Sequence, residues 1–208
     1  MTTADKIAAA LRSIAPEGKL LTPDIPLINQ LAAQWDARPG VQATTGDPAW
    51  IAIARDKIGQ REIKGPKHNS WIAKGWKRLG AGWYNDDETP WCGFFVADCL
   101  DLAGLAYPKN FPSAASFKDY GTACPAQLGA IGVKARKGGN HVFFIVGETP
   151  DKLFYKALGG NQSNMVNIVD IRKDQVDAIR WPAGVPVPAR PQQRLPVLPA
   201  GTISASEA

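Results

Sequence analysis

Apolar positions in the first half of the chain recur at helical spacing, and in the second half they gather in short runs. Near the N-terminus, Ile7, Leu11 and Ile14 fit a helix capped by Thr3 and stopped by Pro16 and Gly18. A second helix begins near Pro26, with Ile28, Leu31, Ala32 and Trp35 on one face, and Arg38-Pro39-Gly40 ends it. Residues 1–45 thus read as a helical N-terminal appendage, either packed on a core or serving as a docking module, and residues 41–48 read as a linker. Over residues 46–182 the pattern predicts helices at 49–58, 69–79 and 91–103. Strands follow at 130–135, 141–147, 153–158, 165–171 and 176–181. Helices first and strands afterwards predict an α+β domain, its N-terminal helices packed on an antiparallel sheet of about five strands. Residues 183–208 are Pro-rich and poor in large apolar side chains, so an extended tail is expected.

Composition narrows the picture. The chain has 208 residues, 45% of them hydrophobic and 21% charged, which suits one packed domain with appendages. No apolar run reaches the ~18 residues of a membrane span, so no membrane insertion is expected. The start lacks a basic stretch followed by an apolar one, so no signal peptide is expected either. The three cysteines form no CxxC pair and are too few for a disulfide scaffold. A net charge of +5 points to an anionic partner. No recognition helix, zinc finger or RNA-binding motif is present, so nucleic acid is not the expected one.

The densest chemistry lies in Asp86-Asp87-Glu88-Thr89-Pro90-Trp91-Cys92-Gly93. Thr89 suits an N-cap and Pro90 a first helical residue, which puts Cys92 in the first turn. Cys92, Phe95, Cys99 and Leu102 then share a face. The positive end of a helix favours a thiolate, the reactive form of cysteine. Gly93 leaves room beside the sulfur for a substrate carbonyl, and Trp91 adjoins the cleft. Cys99 lies two turns deeper and reads as core, and Cys124 has no evident base. Acidic residues 86–88 suit the dipole and turn chemistry, with a calcium site as the weaker reading.

Two histidines are available as a base. His141 opens an apolar strand after Gly138-Gly139-Asn140 and can exchange a proton near neutrality. His68 sits in a basic, turn-like stretch and reads as structural. If the hairpin after His141 turns at Pro150-Asp151, His141 lies beside Gly160 or Asn161. Asn161 would then orient the imidazole through its side-chain oxygen, completing a Cys92–His141–Asn161 set of nucleophile, base and orienter. Gln162, next along, is expected to contact substrate with Trp91 and Gly93. No HxH or HxxxH spacing supports a metal site, and no cofactor is expected.

Three stretches together resemble the CHAP and NlpC/P60 superfamily of papain-like cell-wall hydrolases, in a phage and prophage endolysin-type branch. They are Glu62 to Asn69, Asp86 to Cys92, and Gly159 to Ser163, within residues 49–182. The resemblance implies a papain-like fold with the sheet packed against the nucleophile helix. It implies peptidoglycan as partner and cleavage of an amide bond, either N-acetylmuramoyl-L-alanine or one in the stem peptide. By position, Cys92 is nucleophile, His141 base and Asn161 orienter. Two departures stand out. Gly159 occupies a place that is acidic in many CHAP enzymes, and Gly129-Ala130 replaces a common Gly-Asp. The role implied is a lysis endolysin, made in the host cytoplasm and acting at the wall after release. A tail-borne or secreted toxin-type amidase, or an inactive wall-binding module, are the alternatives. The pattern sets no oligomeric state.

Overall fold

The computed structural model describes residues 7, 8, 11, 24–36, 46–188, 195–199 and 201, leaving out the side chains of 32–36. The chain divides into two units, Met1–Gly46 and Asp47–Ala208. In the first unit, helix α1 spans Asp24–Asp36, with Pro26 in its first turn, where a missing N–H costs nothing. Ile28 is buried, but Leu31 of the expected stripe is exposed, as are Ile25 and Leu27. Ile7 and Leu11 are helical. Thr3, Ile14, Pro16 and Gly18, and the side chains of Ala32 and Trp35, lie outside the described residues.

The second unit is α+β. Helices α2 (Ala49–Asp56), α3 (Ser70–Arg78) and α4 (Cys92–Leu102) come first. Six strands follow: β1 (Thr122–Ala123), β2 (Ile131–Arg136), β3 (Gly139–Glu148), β4 (Phe154–Gln162), β5 (Met165–Arg172) and β6 (Val176–Trp181). They form one antiparallel sheet in the order β1-β6-β2-β3-β4-β5. Five strands lie within a few residues of their expected places. The sixth, β1, is a two-residue edge too short to leave a pattern, and β6 crosses the sheet to reach it. A 3₁₀ turn at Ala114–Lys118 was also outside the expected pattern.

Helix α4 is the centre of the packing. Every residue from Cys92 to Leu100 is buried, so the helix has no polar face. It packs on β3 and β4 on one side and on α2 and α3 on another. Phe95 meets Phe144 of β3 edge-on at 5.9 Å between centroids, and Phe94 lies against Trp71 and Trp76 of α3. Close approach needs glycine: a Cβ at Gly75 of α3 would run into the Phe94 ring. Leu102, expected to extend the buried face, is exposed because the helix ends there. The one buried polar side chain of α4, Asp98, is matched by Trp71 Nε1 at 3.1 Å and by the Arg78 guanidinium. Of the tryptophans between residues 50 and 91, Trp50, Trp76 and Trp91 are core, while Trp83 is 72% exposed. No helix among the described residues is long and apolar enough to cross a membrane.

The described part of the tail does more than extend away. Glu148 N donates to Pro196 O and Leu198 N to Glu148 O, both at 2.9 Å, so the tail lies as a short parallel bridge beside the end of β3. Leu195 is buried. Gly201 N donates to Asp170 Oδ2, next to an ion pair of 2.6 Å between Lys156 and Asp170, both buried. Removing one partner of such a pair leaves an uncompensated charge away from water. Asp170→Ala should therefore destabilise the protein by about 3–5 kcal/mol, measured by urea unfolding. The double change Lys156→Met with Asp170→Leu should recover most of that loss.

Candidate functional site

Three separate stretches, 59–69, 86–92 and 159–167, converge at the N-terminal end of α4, and backbone bonds hold the first against the third. Gly59 N donates to Val166 O, Val166 N to Gln60 O, and Glu62 N to Asn164 O. Arg61 faces Met165 in an antiparallel bridge.

Asp87 ties the first stretch to the second. Its side chain is 0% exposed. One carboxylate oxygen accepts from Ile63 N and Asn69 N, both at 2.8 Å, and the other lies 2.9 Å from His68 Nδ1. Burial alone would raise this carboxyl, but the Asn69 and Ile63 amides and His68 together hold it below its ordinary value. His68 is thus spoken for structurally. Asn69 caps α3, accepting from Trp71 N, and its amide reaches back to Arg61 O. Asp86 accepts from Glu88 N and Thr89 N, which closes a turn before the helix. Asp86 and Asp87 thus spend their oxygens on the protein's own donors. Among the described residues no group of three His, Cys, Asp or Glu side chains could hold a metal ion.

Helix α4 starts two residues later than expected. Trp91, not Thr89, stands at the N-cap position, and Cys92 is the first helical residue. The reason is Asp86: Thr89 is held in the preceding turn by its own bonds to that side chain. Cys92 still sits in the first turn, where amides lack helical partners, and it is 2% exposed. No disulfide joins Cys92, Cys99 and Cys124. Burial pushes the Cys99 thiol well above its ordinary value, which leaves it inert.

The imidazole is oriented by Gln162, not by Asn161. His141 Nε2 lies 3.0 Å from Gln162 Oε1. The hairpin pairs Phe144 with Leu158 and Ile145 with Ala157, within the expected register, although a shift between Ile145 and Gly147 centres the loop beyond Pro150-Asp151. A second irregularity decides the partner. Strand β4 continues through Gly159-Gly160-Asn161-Gln162, and its ladder with β5 slips between Gly159 and Gln162. Asn161 takes the extra place, with φ 57°, a left-handed conformation that asparagine tolerates better than most residues. Gln162 then pairs with Met165 across a tight turn of Ser163 and Asn164, both at positive φ.

The Gln162 amide also sets the histidine tautomer. Its Nε2 donates to Asn167 O and Asn167 Oδ1, each at 2.8 Å. Its Oε1 therefore faces the ring as an acceptor, and His141 Nε2 carries the proton. Nδ1 of the neutral ring is then the proton-accepting nitrogen. His141 is 0% exposed. Burial, opposed by the Gln162 bond and aided by positive charge on Arg136 and Lys134, lowers its pKa from 6.5 to about 3. The side chain is a neutral base at physiological pH.

Asn161 has a different task. With its amide assigned so that nitrogen faces the Glu62 acceptor and oxygen faces the Trp91 donor, Asn161 donates to Glu62 Oε1 at 3.0 Å and accepts from Trp91 N at 3.3 Å. Trp91 Nε1 donates to the same Glu62 oxygen at 2.9 Å. Burial, opposed by the Trp91 bond and helped by Asp87, Glu88 and Asp86, raises the Glu62 carboxyl. The three residues assigned to substrate are all enclosed. Trp91 is fully buried, edge-on to Trp71. Gly93 leaves no open space: a Cβ there would strike the backbone oxygen of Phe111. Gln162 is buried beside His141. The glycines of β4 set the spacing of the site. A Cβ at Gly159 would stand 3.2 Å from His141 Nε2, and one at Gly160 would stand 2.6 Å from the Trp91 ring. The base and the residue before the cysteine thus pack on adjacent residues of one strand.

The buried neutral histidine has a measurable cost. Its folded pKa of about 3 lies below its ordinary value of 6.5. Below pH 6.5 the unfolded chain takes up a proton that the folded one refuses, so stability falls as pH drops from 6.5 toward 3. The slope approaches about 1.4 kcal/mol per pH unit. In urea unfolding the stability difference between wild type and His141→Gln should be constant above pH 6.5 and should shift against the wild type below it, with the wild type showing the steeper acid loss between pH 6.5 and 5.

No protein-family model matches this chain, and neither a curated protein nor a solved structure matches it.

Proposed function

We propose that this chain is a cysteine amidase of papain-like design that hydrolyses an amide bond of bacterial peptidoglycan, in the role of a phage endolysin. The observation that carries the reading is the 3.0 Å contact of His141 Nε2 with Gln162 Oε1, on strands packed against the helix that begins at Cys92. That contact makes Nδ1 the proton acceptor, the form a general base for a thiol requires. The choice of peptidoglycan rests on the resemblance of the three convergent stretches to wall hydrolases.

The chemistry is acyl transfer in two halves. His141 Nδ1 takes the Cys92 thiol proton as sulfur bonds to the amide carbonyl carbon. The C=O electron pair moves to oxygen, and that oxyanion is met by first-turn amides of α4, beginning with Cys92 N–H. Collapse breaks the C–N bond, and the imidazolium gives its proton to the leaving amine. Water then adds to the thioester with His141 as base, and the thiol departs with the proton. Gln162 holds the ring and its tautomer through both halves. A buried site without charge on His141 at rest favours proton transfer concerted with attack over a standing thiolate–imidazolium pair.

Cys92→Ser should abolish clearing of purified sacculi while its melting temperature stays within a few degrees, because the hydroxyl is a far poorer nucleophile for this base. Mass spectrometry of wild-type digests should show new free amines and carboxylates from one class of amide bond. Undiminished clearing by Cys92→Ser would sink the cysteine mechanism. Gln162→Ala should lower turnover by about 10- to 1,000-fold with little change in KM. Equal activity of that variant and wild type would remove Gln162 from the mechanism.

A further inference from the structure

Glu62 lies far from Cys92 in sequence, and the reaction above gives it no chemical step. Its position is nonetheless specific. One carboxylate oxygen, Oε1, receives both Trp91 Nε1 at 2.9 Å and the Asn161 amide nitrogen at 3.0 Å. Asn161 also accepts from Trp91 N at 3.3 Å, so the three residues close a ring of hydrogen bonds. Trp91 immediately precedes the nucleophile, and Asn161 immediately precedes the orienter of the base. The backbone of Glu62 is anchored separately to Asn164 in the β4–β5 turn.

We infer that Glu62 is a positioning residue for the proposed reaction: by tying Trp91 to Asn161 it locks the start of the nucleophile helix to the strand end that holds the base. The physical need is plain. Asn161 sits at φ 57°, a conformation that costs a non-glycine residue energy and persists only when its surroundings hold it. The bulge that Asn161 creates is what turns Gln162 toward His141. Releasing Asn161 from Glu62 frees it to relax, and the orienter moves with it. Releasing Trp91 frees the first turn of α4. Cys92 and His141 lose their mutual alignment in both cases, without any group touching substrate having been removed.

The inference rests on the cysteine-amidase reading, and its test is separable from it. The rate at which iodoacetamide alkylates Cys92, followed by peptide mass spectrometry, needs no wall substrate. Glu62→Ala should slow that alkylation and also lower kcat on muropeptides by about 100-fold, with KM nearly unchanged. Glu62→Gln keeps an oxygen at the Oε1 position and should stay within about threefold of wild type, a small loss on the tenfold-per-1.36 kcal/mol scale. The sharper pair uses Asn161→Asp, which sets a carboxylate against Glu62 and should be as impaired as Glu62→Ala. Circular-dichroism melting identifies any variant that fails to fold, and the contrast of Glu62→Gln with Asn161→Asp then carries the test. Wild-type-like alkylation and kcat in folded Glu62→Ala would overturn the inference, as would wild-type-like values in folded Asn161→Asp. If wild type cleaves no muropeptide, the amidase reading fails, and the alkylation rates still decide whether Glu62 positions Cys92.

Discussion

Helix α4 is enclosed from Cys92 to Leu100, and the close contacts around its N-terminal half depend on glycine. Phe94 lies over Gly75, the Phe111 carbonyl lies over Gly93, and Phe95 and Trp91 lie over Gly160. Each approach is too short to admit a Cβ, and the approaches come from a helix, a loop and a strand. A helix buried this way gains its stability from apolar contact rather than from propensity, and it cannot shift without displacing three neighbours. The position of Cys92 follows: it is the first residue of an element held by close contacts with a helix, a loop and a strand.

Enclosure creates a second constraint, the satisfaction of polar groups where water does not reach. Buried carboxylates and amides must find donors and acceptors within the protein. Asp87 finds two amides and a histidine, Asp98 finds Trp71 and Arg78, and Gln162 divides its two ends between His141 and Asn167. These matches are mutually dependent. Asn167 takes the nitrogen of Gln162, so its oxygen faces the ring, and that choice fixes the histidine tautomer. The proton-accepting nitrogen of the base is thereby decided by an asparagine on the next strand.

The strained residue belongs to the same network. A bulge at Asn161 breaks the two-residue alternation of β4, so that consecutive side chains no longer simply exchange faces. Without it, the residue nearest His141 would be chosen by register alone. With it, Asn161 turns to Glu62 and Trp91 while Gln162 turns to the base. Two adjacent amides of the same chemistry thus take different roles, one holding the frame and one holding the ring.

Much of this was legible in the residues themselves. Period and run length located three helices and five of the six strands, because amphipathic spacing and buried runs are local consequences of element geometry. Cys92 was placed in the first turn through a Thr89 cap and a Pro90 start, and it keeps that turn although the helix begins at Cys92 itself; His141 followed from its place at the mouth of an apolar strand. What tertiary structure alone decided were the matters that depend on partners distant in sequence. The helix began at Cys92 rather than Pro90 because Asp86 claimed Thr89. Gly93 turned out to admit a backbone rather than a substrate because the Phe111 loop folds over it. The strand expected to end at residue 158 runs on through Gly159-Gly160-Asn161 by way of a bulge, a continuation that residues of breaker type do not announce. Which of Asn161 and Gln162 faces the base was beyond any local rule, since a single extra residue in a ladder moves every later side chain, and only pairing with β5 and the carboxylate of Glu62 determine where that residue falls.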